Sequence, residues 1–120
     1  MSRGKGNLAP GWVADYLQPW FPGCEKTPNS RKGRDLLGTP GMAVEVKTGA
    51  EWRPNAWMAQ AAGYAADGEL AVLLYLPPGL GQAKIGQSLF IVPTIVGMEL
   101  AVAAGYAPPP RPREVPGGLV

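Results

Sequence analysis

The 120-residue chain has no histidine and a single cysteine, Cys24. An internal disulfide framework is therefore excluded, and so is a zinc site of the usual Cys/His kind. Triads and nucleases that depend on a histidine base fall with them. Any hydrolytic chemistry must run on carboxylates, lysine, Ser/Thr or a hard metal ion, and Cys24 reads as a passive thiol. Long apolar runs are missing too. None reaches the length of a membrane span, and the opening MSRGKGNLAPG lacks the apolar middle of a signal peptide. A soluble, reduced, cytoplasmic protein with no membrane partner is the expectation. Charge of one sign is barely in excess, with 11 Lys/Arg against 9 Asp/Glu. Position says more than the total, because Arg3, Lys5, Lys26, Arg31, Lys32 and Arg34 all precede the first strong strand.

Apolar residues make up 46% of the chain, enough to bury one core. Residues 1–107 read as a single domain with a loose basic arm over 1–10. The segment 108–120, PPPRPREVPGGLV, reads as a disordered Pro-rich tail. A short helix is predicted from Trp12 to Phe21, limited by Pro19. Pro22 to Gly33 is loop-like. Asp35-Leu36-Leu37 and Met42 to Lys47 read as two arms of a hairpin across the turn Gly38-Thr39-Pro40-Gly41. Arg53-Pro54-Asn55 opens a helix that runs to Ala66, with Asn55 as a candidate cap. LAVLLYL, Leu70 to Leu76, has the continuous apolar character of a strand buried on both faces. Pro77 to Gly86 is a loop, and its Gly-rich part lacks the Gly-Lys-Ser/Thr ending of a phosphate loop. A strand at Leu89 to Val92 and a helix from Pro93-Thr94 to Ala104 complete the order. Strand, helix and buried strand in succession imply a crossover and an α/β fold with a mixed sheet flanked by helices.

One phrase stands out, Ala43-Val44-Glu45-Val46-Lys47. On a strand, residues i and i+2 share a face, so Glu45 and Lys47 project together with Cα atoms roughly 7 Å apart. Val44 and Val46 point the other way, into core. The hairpin would carry Asp35 alongside Glu45. Two converging carboxylates repel unless a cation joins them. Mg²⁺ suits such a site, since it takes oxygen ligands and keeps several waters. The backbone carbonyl of Val46 faces the hairpin edge as a further ligand. A lysine beside it can orient water and steady negative charge on a phosphorane-like transition state. The pattern asks for phosphodiester hydrolysis.

Asp35 followed by Glu45-Val46-Lys47 resembles the motif of the PD-(D/E)XK nuclease superfamily. The wider phrase from Gly33 to Lys47 resembles its small phage-encoded branch, described as Holliday-junction-resolvase-like. Gln60 and Tyr64 on the following helix match a Gln-x-x-x-Tyr pattern of several branches. The resemblance covers residues 24–106. It implies a restriction-endonuclease-like core of order α-β-β-α-β-β-α and a Mg²⁺- or Mn²⁺-dependent DNA endonuclease. Asp35, Glu45 and the Val46 carbonyl would hold metal, Lys47 would position or activate water, and Gln60 would assist. Arg31, Lys32, Arg34 and Arg53 would contact the DNA backbone, as basic side chains do without reading sequence. Cutting a four-way junction takes two symmetric nicks, which implies a homodimer. The chain departs from the family at the first helix, where Leu8 to Val13 contains no Glu and Asp15 is the only acid.

Plainer readings accompany each feature. Glu-x-Lys alone also suits a solvated edge, and the basic run before Asp35 also suits a solvated loop. Gln60 alone suits a helix surface, while Tyr64, Trp52 and Trp57 suit core. In the last helix, Ile95, Met98 and Val102 suit core or interface equally. The competing functions are a nickase, exonuclease or repair-type nuclease of the same fold, and a non-catalytic DNA-binding module.

Overall fold

The computed structural model describes residues 4–28 and 33–112, with side chains from residue 8 onward. The elements run α1 (Gly4–Leu17), β1 (Glu25–Lys26), β2 (Leu36–Leu37), β3 (Met42–Thr48), α2 (Pro54–Tyr64), β4 (Leu70–Leu76), a 3-10 helix (Gln82–Gln87), β5 (Leu89–Ile91) and α3 (Thr94–Ala103). The central sheet has the order β3-β4-β5. β3 and β4 are parallel, with Glu45 opposite Leu73 and Lys47 opposite Tyr75. β5 returns antiparallel to β4. The chain is thus an α/β protein with a mixed sheet flanked by helices.

Alternation along β3 sorts the two faces of the sheet. Val44, Val46, Val72, Leu74 and Leu76 join Ala9, Val13 and Ala14 of α1 in one buried cluster. Glu45, Lys47, Leu73 and Tyr75 fall on the other face, and α2 packs against both strands. α2 starts with Pro54 in its first turn and Arg53 at the cap position, and no side chain caps it. Asn55 therefore does not serve as the cap. Proline tolerates this site because its missing N–H is unpaired there in any helix. The helix ends at Tyr64, two residues before the predicted Ala66.

Three expectations change. Helix α1 begins at Gly4 and ends at Leu17, so residues 4–10 are helical rather than a loose arm, and Pro10 lies inside the helix. Burial of Ala9 and Val13, one turn apart, offsets what the proline costs. Asp35 and Met42 do not open a paired hairpin. β2 pairs instead with β1, Glu25 opposite Leu37 and Lys26 opposite Leu36, as a separate two-stranded ribbon. The loop expected over Pro77 to Gly86 contains the start of the 3-10 helix, which buries Ile85. Residues 108–112 carry no regular element, and the remainder of the predicted tail lies outside the described residues. Among the described residues, no helix is long and apolar enough to cross a membrane.

Candidate active site

The turn between β2 and β3 is built for close approach. Gly38 has φ +78°, and a Cβ there would sit 2.1 Å from the carbonyl oxygen of Gly23. Only glycine fits such a contact. Thr39, buried, closes the turn: its carbonyl accepts from Met42 N at 2.9 Å, and its hydroxyl donates to the Met42 carbonyl at 2.9 Å. Arg34 fixes the chain just upstream. Its guanidinium donates to Glu69 Oε1 at 2.7 Å, to Glu69 Oε2 at 3.1 Å and to the Tyr64 carbonyl at 2.6 Å. The ion pair holds Glu69 down at about 2, with the Ala66 amide helping. Arg34, expected at DNA phosphates, thus has its forked donors committed to the end of α2 and the start of β4. A forked, two-bond pair of this kind sets geometry as well as energy.

That clamp and turn deliver Asp35 to the free edge of β3. The Val46 backbone N–H donates to Asp35 Oδ2 at 2.8 Å. In an extended strand the N–H and C=O of one residue point to the same side, so the Val46 carbonyl faces the edge where Asp35 lies. Asp35 therefore reaches β3 without the strand pairing that the sequence suggested.

Glu45 is the unusual residue. It is 1% exposed, among the largest fully buried side chains of the protein. Lys47 Nζ lies 3.3 Å from its Oε2, while its Oε1 is buried with no hydrogen-bond partner among the described residues. Burial, and then the Asp35 carboxylate beside it, push Glu45 up to about 7, against the opposing pull of Lys47. An unpartnered buried carboxylate oxygen is costly. Lys47 pairs with one oxygen of Glu45 and leaves the other without a partner.

A divalent cation would relieve that imbalance. Asp35, Glu45 and the Val46 carbonyl supply hard oxygen donors, the kind Mg²⁺ prefers, and Mg²⁺ needs only one or two protein carboxylates because it keeps water. The donor set is small. Among the described residues, no group of three or more Cys, Asp or Glu side chains stands ready to hold a metal. Asp15, the acid of α1, is exposed and lies near enough to Cys24 to raise its pKa, after burial.

The other predicted residues divide. Gln60 is exposed on α2 and has no hydrogen bond to the Asp35–Glu45–Lys47 group among the described residues. Its neighbour Ala61 is the residue that α2 buries. Tyr64 is exposed and contributes its carbonyl to Arg34. Arg53 is exposed at the start of α2. Arg31 and Lys32 lie outside the described residues.

Sequence reasoning passed over Tyr75. It is the register partner of Lys47 and shares its face. Its hydroxyl donates to the Gly49 carbonyl and ties down the chain just after β3. Trp57 stacks on it at 5.7 Å, and Trp52 meets it edge-on at 4.7 Å. Trp52 remains 50% exposed. The signal was present, a lone tyrosine in an otherwise aliphatic strand, but only the parallel register puts it beside Lys47. An apolar groove of about 120 Å³, lined by Val13, Tyr16, Leu74 and Phe90 among others, lies on the α1 side of the sheet, opposite Glu45. Comparison with models of known families, with curated proteins and with solved structures gives no match.

Proposed function

We propose that the chain is a metal-dependent, structure-selective DNA endonuclease that hydrolyses phosphodiester bonds, resembling Holliday junction resolvases in fold and action. The observation that carries this reading is the meeting of Asp35, Glu45 and Lys47 at the edge of β3, with one buried Glu45 oxygen left without a partner. The succession of α1, β3, crossover α2 and β4 accords with a restriction-endonuclease-like core. Asp35 and Glu45, with the Val46 carbonyl, would hold Mg²⁺ or Mn²⁺. Such an ion supplies positive charge beside the phosphoryl oxygens and makes nearby water more acidic. Lys47, pinned by Glu45, presents an ammonium that orients an attacking water and steadies the charge that develops on phosphorus-bound oxygens. Exposed Arg53, and Arg31 and Lys32, would hold the DNA backbone. Two symmetric cuts require two copies, hence a homodimer.

Cleavage of a four-way junction, a flap and a plain duplex in Mg²⁺ or Mn²⁺ tests the reading. Cutting of the branched substrates that disappears in Glu45→Ala is the expected result. No cutting of any substrate by the wild-type chain would sink it. A non-catalytic DNA-binding module is the competing reading, favoured by the small acidic donor set among the described residues. It gains if DNA affinity is unchanged in Glu45→Ala and metal binding is undetectable. Product lengths on end-blocked circular DNA separate an endonuclease from an exonuclease.

A further inference from the structure

Trp52 suits core by its chemistry, yet it is 50% exposed. It lies in the loop 49–53, which carries the chain from the end of β3 to the start of α2. β3 and β4 are parallel, so this loop leaves the sheet at the carboxyl ends of its parallel strands, where open α/β sheets take their ligands. The Trp52 ring is held from two sides, 4.7 Å from Tyr75 and 5.9 Å from Trp57, and steeply inclined to both. Those two rings stack on one another, and Tyr75 is buried. The Tyr75 hydroxyl also donates to the Gly49 carbonyl and holds the loop at its root. Tyr75 is the register partner of Lys47 on the same face of the sheet, one strand spacing or ~4.8 Å away. A fixed, half-exposed aromatic ring thus borders the group of Asp35, Glu45 and Lys47. Charge does not explain the loop, since Glu51 and Arg53 flank Trp52, both exposed, and cancel. What the loop offers a ligand is an aromatic surface.

We propose that Trp52 is a stacking platform for an unpaired nucleobase of the DNA strand whose phosphate lies at Lys47. A base inside a duplex has both faces covered by its neighbours. A base at a branch point or in a single strand has a face to offer. Stacking on a ring is indifferent to base identity, so Trp52 selects DNA by structure and not by sequence. The proposal rests on the nuclease reading for the position of the strand, and deepens it by naming unpaired bases as what the site recognises. Trp20 supplies the contrast. It is 63% exposed but leans on Tyr16 just beyond α1, the helix on the other face of the sheet.

Fluorescence anisotropy tests the proposal, with EDTA present to stop cleavage. The probes are a labelled oligothymidylate, a strand of the same length with abasic sites in place of its bases, and a blunt duplex. The wild type should prefer the oligothymidylate to the abasic strand. Trp52→Ala should weaken oligothymidylate binding by about 5- to 150-fold, the loss expected for one stacked base, and shift duplex binding far less. Trp52→Phe should recover most of that loss, and Trp20→Ala should match the wild type. A wild type that binds no single strand, or binds the abasic strand equally well, overturns the proposal. So does an equal loss on duplex. A folded Trp52→Ala with undiminished affinity overturns it too, and is the result expected if Trp52 only shields Tyr75. If Trp52→Ala does not fold, Trp52→Leu replaces it, since leucine keeps apolar cover and lacks a ring face. Undiminished affinity there overturns the proposal equally. Cleavage is a separate readout. A chain that shows this stacking and cuts no DNA keeps the platform and loses the nuclease reading. A chain that cuts branched DNA while Trp52→Ala binds like the wild type keeps the nuclease reading and loses the platform.

Discussion

Strand β3 and helix α3 invert the usual rule in opposite directions. β3 buries a carboxylate to 1% exposure, while α3 leaves an isoleucine 73% exposed. Each arrangement is costly for an isolated chain, but the cost falls in different places. Glu45 sits in a framework of buried neighbours, Leu73 opposite it and Val44 and Val46 beside it, so its cost is charged to folding itself. Ile95 lies on a helix that buries none of its residues, so its cost is one of exposed surface. Disturbing the first should cost folding stability, and disturbing the second should not.

That contrast can be broken experimentally. The largest effect is expected for Leu73→Ala, which empties fully buried volume beside Glu45 and should cost about 2–5 kcal/mol in denaturant unfolding. A loss below ~1 kcal/mol would mean that the framework around Glu45 is loose. Lys47→Ala should lower cleavage by about 10²–10³-fold, the usual scale for removing one charge-stabilising donor. Retained cutting would remove Lys47 from the chemistry. The pH dependence follows from Glu45. Its pKa is raised in the folded chain, so the folded state binds that proton more tightly than the unfolded state does. In EDTA, stability should therefore fall as pH rises from the ordinary carboxyl range to about 7, and stay reduced above it. The span is on the order of 3 kcal/mol at ~1.4 kcal/mol per pH unit. Glu45→Gln should flatten that fall, and Mg²⁺ should reverse it in the wild type, binding more tightly as pH rises. A wild-type curve parallel to that of Glu45→Gln would refute the assignment. The smallest effect belongs to α3. At dilute concentration Ile95→Ala should change unfolding by less than ~0.5 kcal/mol, as for ordinary surface sites.

Where sequence reasoning succeeded, local chemistry and tertiary packing agreed. LAVLLYL is a central strand at Leu70–Leu76, and Glu45 and Lys47 share a face as their spacing required. The crossover to a parallel neighbour followed from a helix between two strands. What the sequence left hidden lies where a few long-range contacts decide. Strands β1 and β2 have two residues each, too short for any periodicity to show. Gly38 turns the chain onto Gly23, which diverts β2 from β3 to β1. Nothing in the sequence around Arg34 announces its bonds to Glu69, thirty-five positions later. Gln60 matches a pattern by spacing, yet the helix turns Ala61 inward and leaves Gln60 outside. The apolar character of α3 was evident, but nothing in its composition announced that none of its residues would enter the core.

The bond from the Val46 N–H to Asp35 has a use as an observable. It joins the two-stranded ribbon to the central sheet through one proton. That amide should resonate downfield and exchange slowly with solvent while the carboxylate accepts from it. Its frequency reports the occupancy of Asp35: neutralising the carboxylate with acid, or drawing its charge toward a cation, shifts this one resonance first. The backbone thus carries an internal gauge of the site, readable in a heteronuclear spectrum before any substrate is known.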